Sequence, residues 1–510
     1  MLDSAFALAQ RKRWLIGALG LAAVVRFYLL WQYYCISSDG VVYIRAAQDF
    51  FSGGIMAGLK SVYPPGYPLL IAAVYPLIGN WELAGQILSL FFGVAMLLPL
   101  YSLFRAVSDE KVALLACYLA AISPFLALYS AHVRSEATYL FLAVLALYLF
   151  LTGIQRSSKA HFWWGGLVAG YAYLVRPEAL GFLLIVPAVI FLRWLRRREA
   201  AFSWLMQTVG LLGVGFLLFA MPYIVYLSVD TGHFGAVSRK AGVTLGINLQ
   251  KSGLLDDDDI ARFGSAESLV FTEYIRQHPW RYAQKAAADL LPAIAAYFEA
   301  LHYSYVPFLL IGLCLVFRDK VGERQDLLLL VFVFAHVFGF ALILVKRRYA
   351  LQAVPISLAW VAVGIYWAWD KIRLVLTPQR AKWVAVSLAV IFLGATLPKT
   401  LKSVSREKAF VRDTGWYLKS QNRRGNLKVA TFDERVNFYA ETATVPLAGV
   451  DETKVAAYLR AQKADYLAVE SKALEKTFPE IYRAPERFGL ALEKSFVGTR
   501  KDRMLLYKVS

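Results

Sequence analysis

The chain is poor in charge and in cysteine, and both shortages exclude something. Charged residues are 18% of its 510 residues, whereas a soluble chain carries about a quarter. Three cysteines are too few for a disulfide-stapled scaffold. There is no HExxH, no paired CxxC, no Walker loop and no dinucleotide fingerprint. Visible machinery for zinc hydrolysis, ATP hydrolysis or redox chemistry is therefore missing. What fills the sequence is apolar: 58% of residues are hydrophobic and mean hydropathy is +0.50. That composition excludes a disordered or collagenous chain and predicts a polytopic α-helical membrane protein.

Eleven apolar runs are candidate spans, each needing about 20 mostly apolar residues. They cover 14–34, 83–104, 112–129, 137–154, 162–175, 179–194, 204–227, 305–317, 327–345, 351–369 and 383–397. Residues 65–79 are apolar but short, and read as a re-entrant or interfacial helix. Arg11, Lys12 and Arg13 precede the first run and place the N-terminus in the cytoplasm. Eleven spans then put the C-terminus on the opposite side. Arg105, Lys111, Arg156, Lys159, Arg193, Arg196–Arg198, Arg318, Lys320, Arg324, Lys371, Arg373, Arg380 and Lys382 all fall on the cytoplasmic side. The net charge of +19 follows largely from this bias, so nucleic acid is not called for as a partner.

The unusual polar residues collect on the other face. A first outer loop carries Ser37-Ser38-Asp39-Gly40, Tyr43, Arg45 and Asp49. Later turns carry His132, Arg134 and Glu136, then Arg176-Pro177-Glu178, then Lys346-Arg347-Arg348-Tyr349. The last turn puts three cations on the side that should have few. It reads as an anion site, since Arg offers a planar fork for phosphate and Lys a point charge. Asp39 reads as a helix cap for 41–51, as a general base for an acceptor hydroxyl, or as both. Glu136 and Glu178 each lie beside an Arg and can pair with it. A run at Asp256–Asp259 is open to two readings, a divalent-cation site or a solvated turn. No other metal ligand set and no cofactor is indicated.

Composition changes near Pro398. Residues 399–510 hold 22 Lys+Arg and 14 Asp+Glu, and the preceding 398 hold 33 and 22. The expected organisation is a transmembrane domain over 1–398 and a small outer α/β domain over 399–510. Candidate strands are 427–431, 444–447, 465–469, 490–496 and 504–509, with helices over 404–420, 434–439 and 452–461. This domain shows no catalytic motif and reads as a lid, acceptor-recognition or packing module.

In order and sidedness these motifs resemble the membrane-embedded GT-C glycosyltransferases, in particular bacterial relatives of the protein O-mannosyltransferases and of the aminoarabinose lipid A transferase. The residues that carry the resemblance are Ser38-Asp39-Gly40-Val41-Val42-Tyr43, Tyr63-Pro64-Pro65-Gly66-Tyr67-Pro68, Arg176-Pro177-Glu178, His278-Pro279-Trp280-Arg281-Tyr282, and Lys346-Arg347-Arg348-Tyr349 with Pro355. One departure is that relatives often have two adjacent acids where this chain has Ser38 and Asp39. The next acid is Asp49.

The resemblance implies sugar transfer from a polyprenyl-phosphate donor to a hydroxyl of a lipid, polysaccharide or protein, with inversion, at the outer face of an inner membrane. It implies Asp39 as the base. Lys346, Arg347, Arg348 and Tyr349 would meet the donor phosphate. Tyr43, Asp49, His132, Arg134, Glu136, Arg176 and Glu178 would form the pocket. A transporter or flippase of lipid-linked sugars is the alternative. It would be expected to show inverted repeats with broken helices near the bilayer midplane.

Overall fold

The computed structural model describes residues 2–197, 201–251, 253–255, 271–318, 326–422, 425–447, 449–499 and 502–510. The Asp256–Asp259 run, Arg198, Lys320 and Arg324 lie outside the described residues. The chain divides into two compact units. The first is Met1–Tyr28 with Ala46–Lys402, and the second is Leu29–Arg45 with Ser403–Ser510.

The first unit is helical. Among the described residues seven helices are long and apolar enough to cross a membrane: Lys12–Trp31, Trp81–Val107, Glu136–Arg156, Pro177–Arg196, Phe202–Thr231, Arg347–Val375 and Pro378–Thr400. An eighth is counted if Leu290–Leu301 and Val306–Arg318, bent by 113°, form one broken span. The remaining three of the eleven expected spans are also helical but shorter. The run 112–129 breaks into Glu110–Ile122 and Pro124–Tyr129. Pro124 has no amide N–H to give and pushes Ser123 to an extended conformation, with ψ 124°. The run 162–175 is the 17-residue helix Lys159–Val175. The run 327–345 is Leu327–Gly339 followed by a short 3₁₀ turn, Phe340–Leu342. The polytopic helical fold class therefore holds, with fewer full-length spans than apolar runs.

Helices in lipid gain little from burying apolar surface against one another, so close backbone approach matters more. Gly166 and Gly170, four apart and so on one face, meet the helix Phe202–Thr231. A Cβ on Gly166 would lie 2.5 Å from the Leu212 carbonyl oxygen, and one on Gly170 would strike that of Phe216. Gly215 answers from the other helix, where a Cβ would lie 2.7 Å from the Trp163 carbonyl oxygen. Helix starts follow local chemistry: the Asn80 side chain accepts from Leu83 N at 2.9 Å and Asp109 from Val112 N at 2.8 Å.

The second unit contains a five-stranded sheet. Its strands are β1 (Lys428–Thr431), β2 (Ala443–Pro446), β3 (Tyr466–Glu470), β4 (Leu490–Val497) and β5 (Arg503–Val509), in the order β2-β1-β3-β5-β4. The pairs β1–β2 and β1–β3 are parallel, and β3–β5 and β4–β5 antiparallel. Ala430, Val445, Leu459, Leu467, Val469, Leu474, Phe478 and Tyr507 form its core. Between β1 and β2 lies the helix Glu434–Ala440, whose start Asp433 caps by accepting from Arg435 N at 3.1 Å. Burial opposes the charge on the Arg435 guanidinium, but Asp433 on that group at 2.5 and 2.8 Å outweighs it and raises the pKa.

Candidate functional site

Three of the polar turns singled out in the sequence meet in the first unit. Glu136 opens the helix Glu136–Arg156, and its side chain is 3% exposed. Arg176 reaches it with Nη1 at 3.0 Å, and Arg348 with Nε at 3.2 Å. Arg176 also grips Glu178, with Nη2 at 2.8 Å and Nε at 3.3 Å. Pro177 starts a 3₁₀ turn there, which holds Glu178 two residues from Arg176 and in reach of it. Tyr349 stacks on Phe340 at 5.0 Å, and the Arg176 and Arg348 guanidiniums lie 5.7 and 5.4 Å from its ring.

The arrangement balances two guanidiniums with two carboxylates in a buried place, where an unmatched charge would be costly. Glu136, Arg176 and Arg348 line a crevice with Tyr139, Leu140, Leu351 and Gln352 that is too narrow for a water molecule. Gln352 is 4% exposed, and neither its amide oxygen nor its nitrogen finds a hydrogen-bond partner among the described residues. The Tyr139 hydroxyl is buried and likewise finds no hydrogen-bond partner among them.

In the cationic turn, read from sequence as an anion site, the two arginines are paired with acids. Arg347 pairs with Glu299 at 2.5 Å and stands 4.1 Å over the Phe125 ring. Arg348 belongs to the Glu136 cluster. Lys346 is exposed and makes no ion pair among the described residues. Acids from other helices thus hold both arginines, and pairing lowers the cost of a charge in an apolar helical unit.

Arg134 is half-buried, with its guanidinium 5.6 Å from the Tyr129 ring. Its carbonyl accepts from Ser89 Oγ at 3.1 Å, and Ser89 lies 2.8 Å from the Tyr67 hydroxyl. This ties the 131–136 turn to the Pro-Pro segment. His132 is buried. Asp49 is exposed near the end of the helix Ser38–Ser52, with no side-chain hydrogen bond or ion pair among the described residues.

Asp39 and Tyr43 lie in the second unit, on the first turns of the same helix. Tyr43 is buried and Asp39 half-buried. The capping job weighed for Asp39 is done by Ser37, whose Oγ accepts from Gly40 N at 3.1 Å. Asp39 is instead an acid in the first turn of the helix.

Sequence reasoning passed over several residues of this neighbourhood. Glu299 sits in an otherwise apolar helix, Leu290–Leu301, and a lone acid in an apolar run was a usable signal. Arg26, fully buried within the first span, donates to the carbonyls of Ala22 and Ala121, both at 3.2 Å. Lys285 is buried, pairs with Asp289 at 2.9 Å and donates to the carbonyls of Ala341 and Ile343 at 3.0 and 3.1 Å. Asn248 also donates to Ile343, at 3.2 Å. The stretch leading into Lys346 is thus braced by Lys285 and Asn248. Among the described residues no group of three or more His, Cys, Asp or Glu is placed to hold a metal ion.

Residues 62–226 match the family model of the dolichyl-phosphate-mannose-protein mannosyltransferases. No match is found among curated protein sequences. Similar solved structures include the oligosaccharyltransferase of Archaeoglobus fulgidus tethered to an acceptor peptide, at 12% identity and TM-score 0.60, over 98% of this chain and 74% of that one. The archaeal oligosaccharyltransferase AglB, also from Archaeoglobus fulgidus, in complex with an inhibitory peptide and a dolichol-phosphate aligns at 15% identity and TM-score 0.55, over 93% and 71%. ArnT from Cupriavidus metallidurans bound to undecaprenyl phosphate aligns at 14% identity and TM-score 0.57, over 97% of this chain and 98% of that one. The resemblance to GT-C glycosyltransferases is borne out, and the chain is a multi-pass membrane protein with their fold.

Proposed function

We propose that this chain, a membrane protein of the GT-C glycosyltransferase family, moves a sugar from a polyprenyl-phosphate donor to an acceptor hydroxyl at the outer face of an inner membrane. The catalytic transmembrane domain would be 1–398 and the outer domain 399–510, with the N-terminus cytoplasmic. The observation that carries the reading is the meeting of Arg176 and Arg348 on buried Glu136, beside Lys346 and Arg347. Preorganised cations suit a phosphate that gains charge as it leaves. The polyprenyl phosphates bound to ArnT and AglB support the donor class.

In the proposed step Asp39 takes the proton of the acceptor hydroxyl. That oxygen bonds to the anomeric carbon from the face opposite the phosphate. The carbon–oxygen bond to phosphate breaks, its electron pair stays on the phosphate, and configuration inverts. Lys346, Arg347 and Arg348 hold the phosphate, with Tyr349 against the arginines. Tyr43, Asp49, His132, Arg134, Glu136, Arg176 and Glu178 shape the pocket. The activated donor supplies the driving force, which agrees with a sequence lacking nucleotide motifs.

Mass spectrometry of envelope glycans tests this in a deletion strain complemented with wild type, Asp39→Asn, or Arg347→Ala with Arg348→Ala at equal expression. A sugar missing from the deletion and Asp39→Asn strains, and reduced in the arginine double variant, is the expected result. It would also identify sugar and acceptor. Full transfer by the double variant at limiting donor would remove the phosphate assignment. An unchanged glycan profile with a lipid-linked species accumulating in the deletion strain would point to a flippase.

A further inference from the structure

The segment that carries Asp39 is built into the second unit. Residues 29–45 and 403–510 form one compact body. Upstream of Asp39 the chain zips onto Val404: Tyr34 N donates to the Val404 carbonyl at 3.0 Å and Val404 N to that of Gln32 at 2.9 Å. Ile36 is fully buried, and its amide donates to the Tyr439 hydroxyl oxygen at 2.7 Å, across 403 residues of sequence. Downstream, Arg45 pairs with Glu434 at 2.6 Å and reaches Thr444 Oγ1 at 3.4 Å.

Tyr439 and Glu434 belong to the same short helix, Glu434–Ala440. That helix is itself pinned. Its start is capped by Asp433, Asn437 donates to the Val429 carbonyl of β1 at 3.2 Å, and Gly415 packs where a Cβ would come within 2.5 Å of Tyr439 Cβ. One helix anchored to the sheet therefore grips the Asp39 segment on both sides, at Ile36 and at Arg45.

We infer that Tyr439, aided by the Arg45–Glu434 pair, is a positioning residue that fixes the first turn bearing Asp39, so that the C-terminal unit is a mount for the proposed base. The inference rests on Asp39 being that base. The two grips differ in strength. The Ile36 amide is buried, and without Tyr439's oxygen it would be left with a desolvated donor. The Arg45–Glu434 side chains are 42% and 51% exposed, so solvent screens them. A misplacement of about 1 Å at a reacting group can lower a rate about a hundredfold, so loosening this turn acts on rate.

The test uses full-length protein carrying Tyr439→Phe, Glu434→Arg, Glu434→Arg with Arg45→Glu, or Asp39→Asn. Hydrogen–deuterium exchange reads local order, and glycan mass spectrometry in the deletion strain reads transfer. Tyr439→Phe is expected to speed exchange in peptides covering 33–45 while β1 and β3 stay protected, and to lower transfer about tenfold or more. Glu434→Arg should lower transfer about two- to fivefold, with recovery in the charge-swapped double variant. Faster exchange at 33–45 with wild-type transfer, in a set where Asp39→Asn is inactive, would overturn the positioning role and leave the base intact. Unchanged exchange at 33–45 in Tyr439→Phe would overturn the mount itself. An active Asp39→Asn would remove the base, and the positioning role with it.

Discussion

Each unit sets arginine against carboxylate, in very different settings. In the helical unit Arg176 and Glu136 pair with side chains 6% and 3% exposed, and Arg348 shares the same carboxylate. In the sheet unit Lys419–Glu441 and Arg45–Glu434 lie with between 42% and 67% of each side chain exposed. The buried cluster is largely withdrawn from water, with Glu136 and Arg176 the most enclosed, so losing one member strands the others. The exposed pairs trade contact for hydration at little net cost. Packing divides in the same way. The helical unit closes through glycine faces such as Gly166, Gly170 and Gly215, and the sheet unit through a core of Leu, Val and Phe. The division is not complete, since the sheet unit also holds the Arg435–Asp433 pair with side chains 13% and 15% exposed.

Four substitutions sharpen or break this contrast. Glu136→Ala removes the shared acid and leaves two buried guanidiniums without it, so a loss of about 3–5 kcal/mol is expected, read from thermal unfolding in detergent. A loss under about 1 kcal/mol would mean that the cluster is no different from a surface pair. Leu467→Ala, at a fully buried position of β3, should cost about 2–5 kcal/mol by leaving a cavity, with the transition of the helical unit unmoved. Gly170→Leu should cost about 1–3 kcal/mol by forcing apart the helices Lys159–Val175 and Phe202–Thr231. Wild-type stability there would refute the close-approach account. Lys419→Met should move stability by no more than about 1 kcal/mol, and a larger drop would show the exposed pairs to be structural after all.

Much of the fold was legible because it depends on local pattern. Each of the eleven apolar runs falls on helix, and each of the five strands lies within a residue or so of its expected place. The helices Ser471–Thr477 and Pro479–Arg483 were missed. They are short and flanked by charge, so periodicity had too few turns to register. In the site, the turns at 132–136, 176–178 and 346–349 were recognisable as misplaced polar residues in an apolar chain. Their partners were not. Arg176 was expected beside Glu178 and does pair with it, but its contact with Glu136 and that of Arg348 with the same acid come from distant helices. Asp39 reads from sequence as a cap, a base or both, and the capping is done by Ser37.

The sequence by itself determined the class of molecule: apolar runs demand a membrane, the charge-rich tail demands water, and hydrogen-bond satisfaction makes the spans helical. It also determined which turns are polar enough to matter. Only the tertiary structure decided who meets whom. Glu136 between two arginines, Arg347 on Glu299, Lys285 under the 341–343 carbonyls, and Tyr439 on the Ile36 amide are contacts across long stretches of chain. Such pairings depend on how helices and sheet pack, a global balance of many weak contacts that no local spacing encodes.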